Sequence, residues 1–178
     1  MKKLLLLMFF FIFLFSCKIP QIVLQDGKKY KTVDMAEYNF YYLTYILKGT
    51  DFSEAVNICK KMNDIVKDRN KNEVAIGSFP STNKWKLGIL TNEEFDINEI
   101  DGYKIEKEPF GSGTYGSMKL KGYPDFMFFK YNTLKDLLTN SGYTIDSFVY
   151  EFYTFDTFNN PSIPPKERIG EIMYKVLK

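Results

Sequence analysis

The chain has 178 residues, of which 45% are hydrophobic and 17% aromatic, and its formal net charge is +2. This length fits one domain of ordinary size, and the apolar content supports a substantial core, which excludes a wholly disordered chain. Lys2 and Lys3 belong to a segment that we expect to be removed, which leaves the remaining chain near neutrality. We therefore expect no nucleic-acid partner, because nucleic-acid recognition needs a concentrated basic face.

The N-terminus has the pattern of an export signal. Two lysines precede an uncharged apolar run from 4 to 15, which is shorter than the roughly 20 residues that span a bilayer as a helix. The run ends in Leu14-Phe15-Ser16-Cys17, which resembles a bacterial lipobox. We predict a lipoprotein signal peptide at 1–16, lipid on Cys17, and attachment to a membrane of the cell envelope on its extracytoplasmic side. An ordinary secretory signal and an uncleaved anchor are the alternatives.

Between the lipid and the folded domain, residues 17–36 are polar and mixed in character. This composition predicts a tether, although the apolar run Ile22-Val23-Leu24 could dock as a short strand. The other cysteine, Cys59, then has no disulfide partner in the chain. It falls on the apolar stripe of a predicted helix, where we expect a buried and inert thiol.

Residues 37–178 predict one α+β domain in which the order strand, helix, strand, strand occurs twice. The first module, 37–92, has expected strands at 37–47, 74–79 and 85–90, and a helix that begins at Asp51 or Ser53 and ends at 71–72. An acidic linker, 92–101, and a short strand, 103–108, follow. The second module, 103–178, has expected strands at 113–120, 147–155 and 169–176, and a helix from about 125 to 140.

Two sequence matches favour an internal duplication. Leu47-Lys48-Gly49 aligns with Leu120-Lys121-Gly122 at an offset of 73 residues, and the apolar positions of the two predicted helices align at an offset of 72. The slip of one residue falls in the loop between strand and helix, where an insertion costs little. The chain is therefore predicted to contain two βαββ modules.

Five short stretches of the second module carry a resemblance to a known family: Gly113-Thr114-Tyr115, Lys121-Gly122-Tyr123, Ser141-Gly142-Tyr143, Glu151-Phe152-Tyr153 and Gly170-Glu171-Ile172-Met173-Tyr174. The module resembles the GyrI-like domain, the effector-binding domain of bacterial transcription activators, which has SOUL-type relatives. An Asp-Pro that usually follows the Glu-x-Tyr motif is absent here. Lys175 stands where a closing proline is common.

The resemblance implies two βαββ modules about a pseudo-twofold axis, with antiparallel sheets enclosing an aromatic-lined central cleft and two helices packed outside. It implies a small hydrophobic or cationic ligand, and it places Glu151 in the cleft. Strand alternation agrees, because Glu151 and Tyr153 share a face on which a carboxylate and a ring can hold a cation. Further candidates for the cleft wall, each of which could instead be a core residue, are Tyr45, Phe79, Trp85 and Tyr115.

The sequence contains no histidine, which removes histidine-dependent nucleophilic catalysis and the commonest zinc ligand. We expect no metal and no cofactor. The favoured function is a membrane-anchored small-molecule-binding protein without a DNA-reading segment. One alternative is a hydrolase of a strained electrophile, as the resemblance allows, with Glu151 as general base and Tyr115 or Tyr153 as hydrogen-bond donor. The other is a protein-interaction lipoprotein whose cleft is filled by side chains.

Overall fold

A computed structural model describes residues 19–46, 53–66, 73–78, 84–154 and 162–177, without the side chains of 66, 73–78, 124–126 and 154. The strands in these ranges are β1 Gln21–Val23, β2 Lys31–Met35, β3 Tyr38–Ile46, β4 Glu73–Ser78, β5 Lys84–Thr91, β6 Glu99–Ile100, β7 Tyr103–Lys104, β8 Glu106–Phe110, β9 Gly113–Lys121, β10 Thr144–Thr154 and β11 Ile169–Leu177. The α-helices are α1 Ser53–Val66 and α2 Tyr131–Asn140, and 3-10 helices span Pro124–Lys130 and Pro165–Glu167.

The predicted α+β class is confirmed, and the paired strands described here run antiparallel. One difference concerns the helix predicted at about 125–140. Its first part, Pro124–Lys130, is a 3-10 helix, and the α-helix begins at Tyr131. Tyr123 precedes a proline and has an extended backbone, with φ −71° and ψ 122°. A residue before proline disfavours the helical region, so the helical segment begins at Pro124.

The two halves of the chain form one continuous sheet in the order β1-β9-β11-β10-β4-β5-β3-β8, with β2 also on β9. The halves meet where β10 pairs with β4. The strand that precedes each βαββ half pairs with the opposite half, since β2 lies beside β9 and β8 lies beside β3. A duplicated unit with an exchanged first strand would give this order, and the twofold axis itself stays a prediction.

Two segments of the predicted tether, β1 and β2, are strands of the sheet, which corrects that prediction for these residues. The docked strand foreseen at Ile22 is present as β1, and β2 adds a second strand on the same edge of β9. Between the two strands, Asp26 and Gly27 form a tight turn with positive φ angles of 50° and 75°, which the Gln25–Lys28 bridge closes. Pairing of this kind satisfies backbone groups that β9 would otherwise expose along a bare edge. Cys17 and the signal predicted at 1–16 lie outside the described residues.

One face of the sheet, here called the helix face, is covered by the two helices. Helix α1 packs on β3 and β5, and α2 packs on β9, β10 and β11. The buried side chains of this face include Tyr41, Leu43, Ala55, Ile58, Cys59, Met62, Leu87, Ile89, Met118, Leu120, Leu134, Leu138, Ile172 and Tyr174. Cys59 is buried as predicted, and burial raises the pKa of its thiol to about 12, so it stays protonated. Within the part of the chain that is described, no helix is long and apolar enough for a membrane span.

The opposite face, here called the closed face, is covered by the sheet itself. Phe110 on the edge strand β8 stacks on Tyr115 of β9 with ring centroids 5.4 Å apart, and it meets Tyr150 edge-on at 5.0 Å. In a flat sheet, six strand spacings would separate β8 from β9 by about 29 Å. The sheet therefore curls until its ends approach each other. The buried apolar residues inside this curl are Phe40, Tyr42, Leu90, Phe110, Tyr115, Phe152 and Met173.

Gly116 sets how closely α2 approaches β9, and its replacement by alanine tests this contact. A Cβ at Gly116 would lie 2.3 to 2.9 Å from side-chain atoms of Leu138, which is fully buried. We expect Gly116→Ala to lower the free energy of unfolding by about 1–3 kcal/mol through overpacking. Urea unfolding of the variant measures the change. Gly111→Ala is the control, because its Cβ meets only the flexible Lys175 amine at 3.1 Å. Equal stability of the two variants would contradict the close packing.

Candidate functional site

Glu151 is a buried carboxylate at the centre of the sheet. It lies on β10, with its backbone paired to Ile172 of β11 on one side and to Ile76 of β4 on the other. Its side chain is 6% exposed. Because β10 and β4 join the two halves of the sheet, Glu151 stands beside the seam between them. Alternation from Val149 and Tyr153 puts it on the helix face.

Two phenol groups donate hydrogen bonds to this carboxylate. The Tyr131 hydroxyl donates to Oε1 of Glu151, and the Tyr153 hydroxyl donates to Oε2 at 3.1 Å. A carboxylate is costly to bury unless its oxygens accept hydrogen bonds, and donors of this kind meet that need without adding a positive charge. The site therefore holds a carboxyl group inside the protein, with a phenol hydroxyl on each of its oxygens.

The pKa of the Tyr131 hydroxyl is raised, which keeps this group protonated and able to donate a hydrogen bond. Burial raises the pKa of Tyr131 well above its usual range, and the negative charge of Glu151 raises it further. Burial also raises the pKa of Tyr174, which lies on the same face. Tyr131 therefore remains protonated near neutral pH and can donate its hydrogen to Glu151.

Local structure fixes the positions of both donors. Tyr131 is the first residue of α2, so the 3-10 helix that leads into α2 sets where its ring enters the core. Tyr153 follows Glu151 by two residues on β10 and points to the same face. Its ring lies over Gly170 of β11, where a Cβ would come within 2.5 Å of the ring. Gly170 is therefore what allows Tyr153 to lie flat beside Glu151.

The predicted cleft residues Tyr45 and Trp85 lie on the same face as Glu151. They are directly opposite each other on β3 and β5, and both half-buried side chains pack against the helix-face core. Glu151, Ile76 and Leu87 stand in line across β10, β4 and β5. Trp85 lies two residues along β5 from that line, which places its Cα about 12 Å from that of Glu151.

The structure separates Tyr115 from this group. Tyr115 is buried on the closed face, where its ring stacks on Phe110 and its hydroxyl donates to the Gly111 carbonyl oxygen at 2.8 Å. A sheet lies between Tyr115 and Glu151, so Tyr115 cannot serve as the hydrogen-bond donor beside Glu151 that the hydrolase alternative allowed, whereas Tyr153 lies next to this carboxylate. Phe79, the remaining candidate, lies outside the described residues.

Tyr131 is the residue of this site that sequence reasoning missed. At the offset of 72 residues Tyr131 aligns with Cys59, so the sequence pattern places it on the apolar stripe of the second predicted helix. The available signal was its hydroxyl, since a phenol on a buried stripe needs a hydrogen-bond partner. Among the described residues, no group of three or more metal-ligating side chains lies together.

Comparison with known proteins identifies the fold. No family model matches the sequence, and no curated protein matches it. The crystal structure of the EcmrR C-terminal domain matches with a TM-score of 0.61 and 18% identity, over 84% of this chain and 97% of that domain. An EcmrR–DNA complex matches with a TM-score of 0.58 and 18% identity, over 84% of this chain and 58% of the EcmrR chain. This chain therefore spans less than two thirds of whole EcmrR.

A hydrolase from Listeria innocua has a similar fold, with a TM-score of 0.55 and 11% identity over 84% of this chain and 92% of that one. At these identities the comparisons establish the fold alone. They support the GyrI-like fold that the sequence resemblance implies.

Replacing Tyr131 by phenylalanine tests the support of the buried carboxylate. The variant removes one donor from Glu151 and leaves the ring in place, so we expect the free energy of unfolding to fall by about 1–3 kcal/mol. Denaturant unfolding at neutral pH measures the loss. Tyr143→Phe is the matched control, because Tyr143 is exposed, and it should change stability by less than about 0.5 kcal/mol. A Tyr131→Phe variant as stable as the control would show that the hydrogen bond carries no stability.

The raised tyrosine pKa values predict loss of stability in alkali. Burial and the Asp146 carboxylate raise the pKa of Tyr150 to about 12. In the unfolded chain a tyrosine loses its proton near pH 10, so above that pH the folded state binds more protons than the unfolded state. The contribution of Tyr150 to the free energy of unfolding is therefore complete below pH 10, and it declines as pH rises towards about 12. Urea unfolding at a series of pH values should show this decline, with a shallower slope in Tyr150→Phe. An unchanged slope would refute the assignment.

Proposed function

We propose that this protein binds a small hydrophobic cation on the helix face of its sheet, with Glu151 as the counter-charge. The observation that carries the proposal is the burial of this carboxylate with a phenol hydroxyl on each oxygen. A buried ionisable group in a defined hydrogen-bond setting is typical of a functional site. A carboxylate with no role of this kind would be expected to lie at the wet edge of the sheet instead.

The surroundings of Glu151 suit a flat or bulky organic cation. Tyr131 and Tyr153 place rings beside the carboxylate, and Tyr45 and Trp85 add rings on the same face of the first half. Aromatic faces attract cations, and they bury the apolar parts of a ligand at the same time. Since α1 covers one half of the sheet and α2 the other, the seam at β10 and β4 is where a ligand would enter between them.

A hydrolytic reaction is the second candidate, and the pairing of Glu151 with Tyr153 favours it. A carboxylate could take a proton from water while the phenol, 3.1 Å away, donates to a developing negative charge on a strained electrophile. The similar fold of the Listeria innocua hydrolase is compatible with this use. Hydrolysis would require turnover that stops in Glu151→Gln, whereas a binding protein releases its ligand unchanged.

We also propose that the protein is exported and attached to a membrane by lipid on Cys17. The support is the order of a basic start, an apolar run and a small residue before cysteine. In this setting the domain would capture hydrophobic cations on the extracytoplasmic side of the membrane. No part of this proposal requires a nucleic-acid partner.

Binding of tetraphenylphosphonium, a bulky monocation without hydrogen-bond donors, tests the cation site. The chain from Lys18 onward keeps β1 and the rest of the sheet, and its melting temperature should rise with the cation. A concentration 100 times Kd would stabilise it by about 2.7 kcal/mol. We expect Glu151→Gln to weaken binding at least about tenfold, equivalent to about 1.4 kcal/mol. Triphenylphosphine oxide, a neutral analogue, should bind no more weakly to the variant than to the parent.

Glu171→Gln is the control for this experiment. Glu171 is a partly buried carboxylate on the neighbouring strand, but it accepts a hydrogen bond from Ser117, whose strand position places the pair on the closed face. The Glu171→Gln substitution should leave binding of the cation unchanged. A folded chain that binds neither compound would reject the site and favour the protein-interaction alternative. Equal losses in the Glu151 and Glu171 variants would show a general effect of charge.

A further inference from the structure

The first described residues of the chain enter the fold at one end of the sheet. Gln21 pairs with Lys121 at the end of β9, and Lys121 pairs on its other side with Ile169, the first residue of β11. Pro20 lies against Gly122, where a Cβ would be 3.0 Å from the proline Cα. The segment that carries Cys17 therefore joins the domain at this end. We call it the anchor end and define it by Ile19, Lys121, Phe128, Phe129 and Ile169.

The anchor end exposes large apolar side chains. Phe128 and Phe129 are 49% and 46% exposed, and their rings stack with centroids 4.3 Å apart. They belong to the 3-10 helix that begins three residues after Lys121. Ile19 and Ile169 are 42% and 46% exposed. Exposed paired aromatic rings, with exposed aliphatic residues at the same end of the sheet, are typical of a surface that contacts another apolar phase.

The segments that meet at the anchor end also carry basic residues. Lys119, Lys121, Lys130, Lys166 and Arg168 lie on β9, on the two 3-10 helices or directly before β11. The same segments also carry three acids in the sequence, Asp125, Glu167 and Glu171, of which Glu167 is exposed and Glu171 accepts a hydrogen bond from Ser117. Lys121 and Lys166 are both exposed. Positive charge therefore predominates around the exposed rings, as suits a surface that meets anionic headgroups.

We propose that the anchor end lies on the lipid surface, with Phe128 and Phe129 in the interface and the basic residues at anionic headgroups. The proposal rests on the membrane attachment proposed above. Three residues separate Cys17 from Gln21 of β1, and an extended chain of this length reaches at most about 14 Å. The strand β9 spans nine residues, or about 30 Å. A tether of this length keeps the anchor end within about 14 Å of the lipid while β1 stays paired, and it places no such limit on the far end of β9.

This orientation has a consequence for ligand capture. Aromatic residues in the interface and lysines at the headgroups fix how an attached domain stands on a membrane. Each of the strands β9, β10 and β11 has one end at the anchor end. Glu151 is paired with Ile172, three residues from Ile169, so Glu151 would be held a short distance above the lipid. A hydrophobic cation that is concentrated at an anionic membrane would then be close to the proposed site.

Lipid quenching of a new tryptophan tests the orientation with the full chain. The protein is purified from bacterial membranes and reconstituted into vesicles of phosphatidylcholine and phosphatidylglycerol, with or without lipids brominated near the headgroup end of the acyl chains. Phe129→Trp reports the anchor end, and Phe128→Trp is a second reporter in case one variant folds poorly. Tyr143→Trp is the matched control, because Tyr143 is exposed and lies beside Gly113, at the other end of β9. The parent chain, whose one tryptophan is Trp85, gives the baseline.

We expect brominated lipids to quench the tryptophan at 129 or 128 strongly, and to leave the tryptophan at 143 at the Trp85 baseline. Lys121→Glu combined with Lys166→Glu should reduce that quenching on anionic vesicles. Vesicle flotation of each variant is measured in parallel. A chain that floats with vesicles but shows equal quenching at 129 and 143 overturns the orientation and leaves the attachment standing. A full chain that does not float overturns both, while the cation-binding test on the chain from Lys18 is unaffected.

Discussion

The burial of one carboxylate, Glu151, is the constraint on which the described site depends. A carboxyl group buried in the middle of a sheet needs hydrogen-bond partners, and the protein provides them from two different elements. One donor requires that α2 begin at Tyr131, and the other requires that β11 carry Gly170 beneath the Tyr153 ring. Features that look unrelated along the chain therefore serve the same group.

The two faces of the curled sheet are covered in different ways. The closed face is filled by rings such as Phe110, Tyr115 and Phe152, which pack on one another where the ends of the sheet approach. The helix face carries Glu151 and is covered by two helices, each on its own half. A face covered by separate helices can open between them, whereas a face closed by its own strands is a packed core. Ligand recognition is therefore proposed on the helix face.

Much of the fold followed from local patterns. Strand positions, the helix of the first half and the buried Cys59 could be predicted, because alternation and helical spacing are properties of short segments. The strand β2 could not, since Lys31–Met35 is a short polar segment that becomes a strand only because β9 offers an edge beside it. The α-helical start at Tyr131 could not be predicted, because residues three apart lie close to one another on a 3-10 turn as well as on an α-helix.

The sequence by itself determined the α+β class, the repeated order of elements and the shared strand face of Glu151 and Tyr153, because these follow from residue types at fixed spacing. The choice of Glu151 as a site residue came from the family resemblance. Only the tertiary structure decided which face each strand turns to the helices. That is why Tyr115 lies across the sheet from Glu151 while Tyr131 donates to it. Alternation along a strand fixes which residues share a face, but the face itself depends on register with neighbouring strands and on where the helices pack.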